Sequence, residues 1–148
     1  CYGEELWVGH RWCDARGIAP MVPFGHGGSY TTFEWDAPVV TGRGTDVTVE
    51  VPITNTGSRP GCEVVQIYVE PKCSPVRRPV RHLAGFAKVR LAPGETAKAR
   101  VHLNDRSFAR WDVATSAWKV DAGEYHLVTA KSAADLRGVL VHNMEVTR

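Results

Sequence analysis

His26 is the residue whose type and surroundings come closest to a chemical role, because Gly25 and Gly27 flank it and place its ring in a tight turn. A histidine there could touch a substrate or transfer a proton, since its ordinary pKa lies near neutrality. The structural alternative is that the ring hydrogen-bonds carbonyl groups of its own loop. We favour the structural alternative and expect His26 to be a loop anchor.

The acidic residues lack the arrangement that glycosidic-bond hydrolysis needs, in which two carboxyl groups flank one bond about 5 to 10 Å apart. Neither the Glu4 and Glu5 pair nor the Asp112 and Asp121 pair has a spacing that suggests it. The sequence also contains no G-x-S-x-G, P-loop or H-E-x-x-H pattern. We therefore predict no catalytic residue in this chain.

The cysteines do not predict a metal site. No C-x-x-C pair occurs and no histidine lies at zinc spacing from any of them. Two of them flank a predicted strand and would lie near its opposite ends, too far apart for a disulfide. We expect free thiols at Cys1, Cys13, Cys62 and Cys73. For the chain as a whole we expect no metal and no cofactor.

Several aromatic side chains could form a platform on which sugar rings stack. The alternative is burial, since tryptophan usually buries most of its area. We favour burial for Trp111 and Trp118, as core residues of a short hairpin. The candidates for sugar stacking are Trp35, Tyr68, Trp111 and Trp118.

Charge and hydropathy exclude two classes of partner. The formal net charge is only +2, and a local basic cluster at residues 72–82 is interleaved with prolines rather than with the aromatics expected of a nucleic-acid surface. We interpret it as a solvated loop. No apolar run approaches the roughly 18 to 20 residues that cross a bilayer. We expect neither a nucleic-acid nor a membrane partner.

Residues 23–33, PFGHGGSYTTF, separate two parts of the chain that differ in residue pattern. Their glycines permit tight backbone turns and their aromatics can pin the loop down, which favours an ordered crossing over a flexible linker. Before it, residues 2–14 are rich in apolar and aromatic side chains. We interpret them as a strand that something must cover.

After the crossing, apolar residues recur with a period of two, which is typical of antiparallel strands with one buried face. Pro93 and Gly94 predict a type II turn, Gly85 a β-bulge, and residues 104–107 a capped helical turn. Predicted strands cover residues 33–40, 46–54, 63–70, 82–91, 96–103, 125–130 and 139–146, with a short hairpin at 111–120. This pattern predicts an all-β antiparallel sandwich of immunoglobulin or fibronectin type III architecture with an extended N-terminal appendage.

Two details of side-chain direction follow. In the strand at 63–70, alternation places Val65, Ile67 and Val69 inward, and Gln66 and Tyr68 outward. Residues 121–127, DAGEYHL, have the layout of a tyrosine corner. We expect the ring of the tyrosine in that motif to be buried, with its hydroxyl bonded to nearby backbone.

The two motifs YGEELWVGHRW (2–12) and PFGHGGSYTTF (23–33) resemble the C-terminal region of glycoside hydrolase family 3, the β-glucosidase and β-xylosidase group. The segments EVVQIYV (63–69), LAGFAKV (83–89), LAPGE (91–95) and GEY (123–125) are similar to the fibronectin type III-like domain of that family. The resemblance covers essentially the whole chain. It implies that the catalytic residues lie in domains upstream of the matching region.

By this resemblance, residues 1–32 are the tail of an upstream α/β domain with the crossing loop, and residues 33–148 are the sandwich. The expected role is a non-catalytic accessory region that stabilises the catalytic domains and shapes substrate access. Its expected partners are the upstream catalytic domains of the same protein. The alternative is a carbohydrate- or polymer-binding module that uses the exposed aromatics.

Overall fold

The computed structural model describes residues 3–145, and within them β-strands dominate. Two short helices, α1 and α2, accompany ten strands. In chain order the elements are α1 His10–Arg16, β1 Phe33–Trp35, β2 Val39–Arg43, β3 Asp46–Asn55, β4 Gly61–Pro71, β5 His82–Leu91, β6 Thr96–Leu103, α2 Asp105–Phe108, β7 Arg110–Asp112, β8 Ala117–Lys119, β9 Gly123–Ser132 and β10 Asp135–Met144.

The strands form two antiparallel sheets and a hairpin. In the first sheet, β3 pairs with β1 and β2 along one edge and with β6 along the other. The second sheet has the order β10-β9-β4-β5, and β7 pairs with β8 alone. The fold class is therefore the all-β sandwich that the sequence predicts.

The main core lies between the two sheets. Val47, Val49, Val51 and Ile53 of β3 alternate strictly with less buried neighbours, as predicted. They pack in one cluster with the inward residues of the facing sheet, which include Val65, Ile67, Val69 and Leu127. A period-two pattern thus places one face of each strand in the core, because successive side chains point to opposite faces.

The local predictions for turns and bulges are confirmed. Gly94 has φ 74°, and the Glu95 N–H donates to Ala92 O at 3.0 Å, which closes the type II turn. The β4–β5 register shifts between Ile67 and Tyr68, opposite Gly85. Asn104 caps α2 with its side chain, which accepts the Arg106 N–H.

The prediction of one continuous first strand at residues 33–40 is wrong, because the structure has two strands there, β1 and β2. Trp35 pairs with Ile53, and the next ladder pair is Val39 with Glu50. Four steps along this strand therefore correspond to three along β3, and one extra residue must bulge out. The break falls at Pro38, which cannot donate a ladder hydrogen bond.

The predicted strand at residues 2–14 is also wrong. The described part of it forms turns followed by α1, which ends at Arg16 and is capped by Gly17 in the left-handed conformation with φ 63°. Gly17 is a typical helix C-terminal residue because it has no Cβ to clash there. A short apolar run does not by itself distinguish a strand from a helix.

Two other expectations concern cysteines and the chain ends. Cys13, Cys62 and Cys73 are free thiols, whereas Cys1 lies outside the described residues. The last strand, β10, ends at Met144, and the predicted end at residue 146 lies outside the described residues.

No helix within residues 3–145 is long and apolar enough to span a membrane.

The tyrosine corner is confirmed. Tyr125 is fully buried, and its hydroxyl donates to Asp121 O at 2.8 Å. Its ring meets Phe108 edge to face at 5.6 Å between centroids. The corner therefore ties the start of β9 to the loop that precedes it.

We expect Tyr125→Phe to lower the free energy of unfolding by about 1 to 2 kcal/mol, because the buried Asp121 carbonyl loses its partner. Urea denaturation followed by circular dichroism measures this. Tyr30→Phe is the matched control, since Tyr30 is 95% exposed and should leave the midpoint unchanged. Equal midpoints for the two variants would contradict the corner's role.

Candidate functional site

The most distinctive contact in the molecule joins the crossing loop to the outer face of the second sheet through Gln66. Its Nε2 donates to Gly25 O at 3.3 Å and to Lys131 O at 2.9 Å. Its Oε1 accepts the Tyr68 hydroxyl at 2.7 Å. The buried amide therefore uses both its donor and its acceptor ends, as buried polar groups require.

Gly25 is the residue that lets the loop approach this amide. It has φ 78°, and a Cβ at this position would overlap the Gln66 side chain. On either side of it, the Phe24 carbonyl accepts the Ala133 N–H at 2.9 Å and the His26 N–H donates to Pro23 O at 3.0 Å. The loop is thus fixed to β4 and to the turn after β9 by backbone groups.

An aromatic stack continues this contact toward α1. The His10 ring stacks on Phe24 at 4.8 Å between centroids and meets Tyr68 at 6.0 Å. Tyr68 belongs to a second apolar cluster, separate from the main core, with Val128, Ala130 and Ala133. We call residues 3–32 the N-terminal segment, and it covers this second cluster.

This covering corrects the expectation that Tyr68 is an exposed aromatic side chain. Alternation places Gln66 and Tyr68 on the outer face, but that face lies beneath the N-terminal segment, and Tyr68 is 0% exposed. Tyr68 is therefore not an exposed platform for a sugar ring.

An ion pair holds α1 to the loop that precedes β5. Arg81 Nε lies 3.0 Å from Asp14 Oδ2, and both side chains are largely buried. Burial lowers the pKa of His10, although the Asp14 carboxylate opposes this. Among the described residues, His10 Nε2 is buried without a hydrogen-bond partner.

Burial first, and the Asp14 carboxylate second, raise the pKa of Tyr68 to about 12. An unfolded tyrosine has a pKa of about 10. Between these values the unfolded chain releases its proton while the folded chain keeps it, so stability falls as the pH rises from about 10 to about 12. Below about pH 10 this contribution is fully present.

We therefore expect Tyr68→Phe to flatten the loss of stability between about pH 10 and about pH 12. At neutral pH the variant should lose about 1 to 2 kcal/mol, because Gln66 Oε1 loses its donor. Denaturant midpoints across this alkaline range measure both effects. Tyr30→Phe should keep the wild-type slope, and a wild-type slope in Tyr68→Phe would refute the burial of this phenol.

The ring of His26 does not act as predicted. His26 is exposed, and within residues 3–145 its ring makes no hydrogen bond, so only its backbone holds the turn. The anchoring role belongs to Gln66 instead. A strand glutamine gives no sequence signal for this role, because its function depends on the loop that approaches it.

The other aromatic candidates lie on β1 and on the β7–β8 hairpin, outside this contact. Trp35 is half-buried on β1, with the Arg137 guanidinium 6.0 Å from its ring. Trp111 and Trp118 face each other across the β7–β8 hairpin at 5.5 Å between centroids. Each is 48% exposed, so the expectation that they are core residues is wrong. The hairpin stands outside both sheets, which leaves its tryptophans partly uncovered.

In chemical terms, these contacts bind one part of the chain to another. Within residues 3–145, no group of three or more His, Cys, Asp or Glu residues could hold a metal ion. The Gln66 amide, the Tyr68 phenol and the stacked His10 ring all serve to fix the N-terminal segment. The site is therefore an intramolecular contact that holds the N-terminal segment on the second sheet.

Several known proteins are similar to this chain in sequence and fold. Residues 63–133 match the fibronectin type III-like domain family. A beta-glucosidase of Rhizobium radiobacter is 44% identical over 145 residues, which cover 95% of this chain and 18% of that protein. The thermostable beta-glucosidase B of Acetivibrio thermocellus is 40% identical, over 91% of this chain and 18% of that protein.

Solved structures of beta-glucosidases contain a region with the same fold as this chain. DesR, a beta-glucosidase from Streptomyces venezuelae, superposes with a TM-score of 0.92 at 39% identity, over 97% of this chain and 19% of that one. The GH3 beta-glucosidase of Bifidobacterium adolescentis gives a TM-score of 0.92 at 39% identity, over 97% of this chain and 21% of that one.

The chain therefore contains a fibronectin type III-like β-sandwich, fastened to a preceding segment that the relatives share. It belongs to glycoside hydrolase family 3 and is similar to the region of these beta-glucosidases that carries this domain. The chain spans about 18% of the length of the curated relatives it matches.

Proposed function

We propose that this chain is the non-catalytic accessory region of a longer family 3 glycoside hydrolase, in which it stabilises the catalytic domains and shapes access to their substrate. The length of the relatives supports this, because about four fifths of each lies outside the match. The parent protein acts on O-glycosyl bonds, as the beta-glucosidase names of the relatives suggest.

The observation that carries the proposal is the two-sided character of the N-terminal segment. One side is buried on the second sheet through the Gln66, Tyr68 and His10 contacts. The other side exposes large apolar residues, of which Met21 is 99% exposed. Exposure of this many large apolar residues along one short segment is typical of a surface that another part of a protein covers. The exposed large apolar residues of the segment are Leu6, Val8, Trp12, Ile18, Met21, Val22, Phe24 and Tyr30.

Preceding domains of the same protein are the occupant that fits this surface. About four fifths of each relative lies outside the match, and the resemblance to family 3 implies that the catalytic domains precede the matching region. With one side of the segment on the sandwich and the other on those domains, the segment would hold the sandwich in a fixed position beside them. A rigidly held sandwich stabilises its neighbour and borders the entrance to the catalytic site.

Val22→Asp in the full-length protein tests this proposal, with Val39→Asp as the matched control. Both valines are exposed, at 62% and 53%, but Val39 lies on β2 of the opposite sheet. We expect Val22→Asp to speed thermal inactivation of glucosidase activity about tenfold, because a carboxylate is forced into an apolar contact. Val39→Asp should leave the inactivation rate unchanged.

Two results would overturn the proposal. One is equal inactivation rates for Val22→Asp and Val39→Asp. The other is hydrolysis of an aryl glucoside by the 148-residue chain alone, abolished by a point substitution within it. The isolated chain should tolerate both valine substitutions without a change in its unfolding midpoint, which separates an effect on the contact from an effect on the sandwich.

The alternative, a carbohydrate- or polymer-binding module, is supported by one observation. Trp111 and Trp118 are half-exposed and adjacent, which suits stacking against sugar rings. Titration with neutral oligosaccharides, followed by tryptophan fluorescence, tests it. Saturable quenching that is lost in Trp111→Ala would support this alternative.

A further inference from the structure

A groove of about 500 Å³ runs between the β7–β8 hairpin, the loop before β5 and the N-terminal segment. Its walls combine apolar side chains with the Trp111 and Trp118 pair. Its volume is in the range of small-ligand sites, about 300 to 1,000 Å³. A protein–protein contact would typically need a larger surface, about 800 Å² on each partner.

Arginine is the dominant charged residue of this groove. Five arginines line it, namely Arg11, Arg77, Arg78, Arg106 and Arg110, and among the described residues no Asp or Glu does. In a chain with a formal net charge of +2, this is a strong local concentration of positive charge. The potential inside the groove therefore favours an anion.

Two of these arginines have internal partners. Arg110 donates to Asp121 through two hydrogen bonds, at 2.7 and 3.0 Å. Arg78 lies 3.8 Å from the same carboxylate and donates from Nη2 to Phe108 O at 3.2 Å. Its side chain is 91% buried by area, with 9% exposed, and Nη1 has no hydrogen-bond partner among the described residues.

Arg77 and Arg106 are held differently, with their guanidinium groups over indole rings. Arg106 lies 3.5 Å from the centre of the Trp118 ring, and Arg77 lies 5.2 Å from that of Trp7. Within residues 3–145, neither guanidinium is paired with a carboxylate. A guanidinium that stacks through its face keeps the N–H donors at its edge, which suits a carboxylate.

The groove therefore offers donors without carboxylate acceptors. A neutral sugar offers these arginines only uncharged oxygen acceptors, whereas a carboxylate forms shorter and stronger charge-assisted hydrogen bonds with guanidinium groups. A carboxylate ligand needs only donors. The tryptophan pair adds flat apolar surface of the kind that covers a sugar ring.

We propose that this groove binds an acidic oligosaccharide, whose uronate carboxylates are held by Arg77 and Arg106 and whose rings lie against Trp111 and Trp118. This site borders the surface assigned above to the preceding domains, since Leu6 belongs to both, and it makes the carbohydrate alternative specific for one chemical class. An acidic segment of another part of the protein is the competing occupant, and the groove's small, concave form favours the sugar.

Calorimetric titration of the chain with trigalacturonate tests the proposal, with its methyl ester as the matched uncharged ligand. We expect saturable binding that weakens with added salt, and binding of the ester that is weaker by about tenfold or more. Arg106→Ala should weaken binding of the acid about tenfold. Arg90→Ala is the control, since Arg90 is exposed on β5 away from the groove.

Four outcomes would overturn the proposal. They are no binding of trigalacturonate, equal binding of the acid and its ester, equal weakening by Arg106→Ala and Arg90→Ala, and stronger binding of hexaglutamate than of trigalacturonate. The last outcome would assign the groove to an acidic protein segment. All of these measurements are independent of glucosidase activity, so they separate this site from the proposed accessory role.

Discussion

Gly25→Ala is expected to lower the free energy of unfolding by about 3 kcal/mol and to release the N-terminal segment from the sheet. At φ 78° a side chain costs about 1 to 2 kcal/mol. The new Cβ also overlaps Gln66, and moving Gln66 leaves a buried amide without its partners, which costs about 1 to 3 kcal/mol. Hydrogen exchange should then quicken at the Ala133 amide, which donates to Phe24 O.

Gly28→Ala is the matched control for this prediction. Gly28 lies three residues further along the same loop, its φ is not positive, and no atom lies within 4 Å of the position a Cβ would take. The control should therefore change the unfolding midpoint little. If Gly25→Ala and Gly28→Ala unfolded at the same midpoint and protected Ala133 equally, the fastening of the loop through Gln66 would be wrong.

The strands of the sandwich could be predicted because their signal is local. The alternation from Val47 to Ile53 follows from burial of one face, and the structure places these four residues in the core. Pro93 with Gly94, and Asn104 before its helical turn, act through their own backbone geometry. Such features depend on neighbouring residues and are visible in sequence.

The covered outer face of the second sheet could not be predicted in the same way. Alternation correctly separates Tyr68 from Ile67, but it does not say whether either face meets solvent. That depends on a segment about 40 to 60 residues earlier in the chain, since Gly25 and His10 are the groups that meet Gln66 and Tyr68. The same limit explains the wrong expectation for His26, whereas the strand predicted in place of α1 reflects the ambiguity of a short apolar run.

The prediction that the hairpin tryptophans are buried is wrong for a different reason. Trp111 and Trp118 were expected in the core because large aromatics usually bury most of their area. The hairpin pairs only with itself, so no second sheet closes over it. The two rings instead cover each other, and Arg106 lies against Trp118. The usual burial of tryptophan is therefore not reached here, because the short β7–β8 hairpin pairs with no other strand.

Phe108→Ala should have the largest effect of any substitution considered, a loss of about 3 to 5 kcal/mol in the free energy of unfolding. Phe108 ends α2, is fully buried in the main core, and meets Tyr125 edge to face. Its removal leaves a cavity beside the tyrosine corner that rigid strands cannot fill. For a chain of this size the melting temperature should fall by about 10 °C.

Phe86→Ala makes the same chemical change at an exposed site and therefore isolates the contribution of burial. Phe86 is 67% exposed on β5, so its loss should change the free energy of unfolding by no more than about 0.5 kcal/mol. Calorimetric melting of both variants gives the comparison. If the two substitutions cost the same, α2 does not close the core, and Tyr125 would be held by its hydroxyl hydrogen bond rather than by the Phe108 ring. A small Phe108→Ala effect combined with a large Tyr125→Phe effect would identify that case directly.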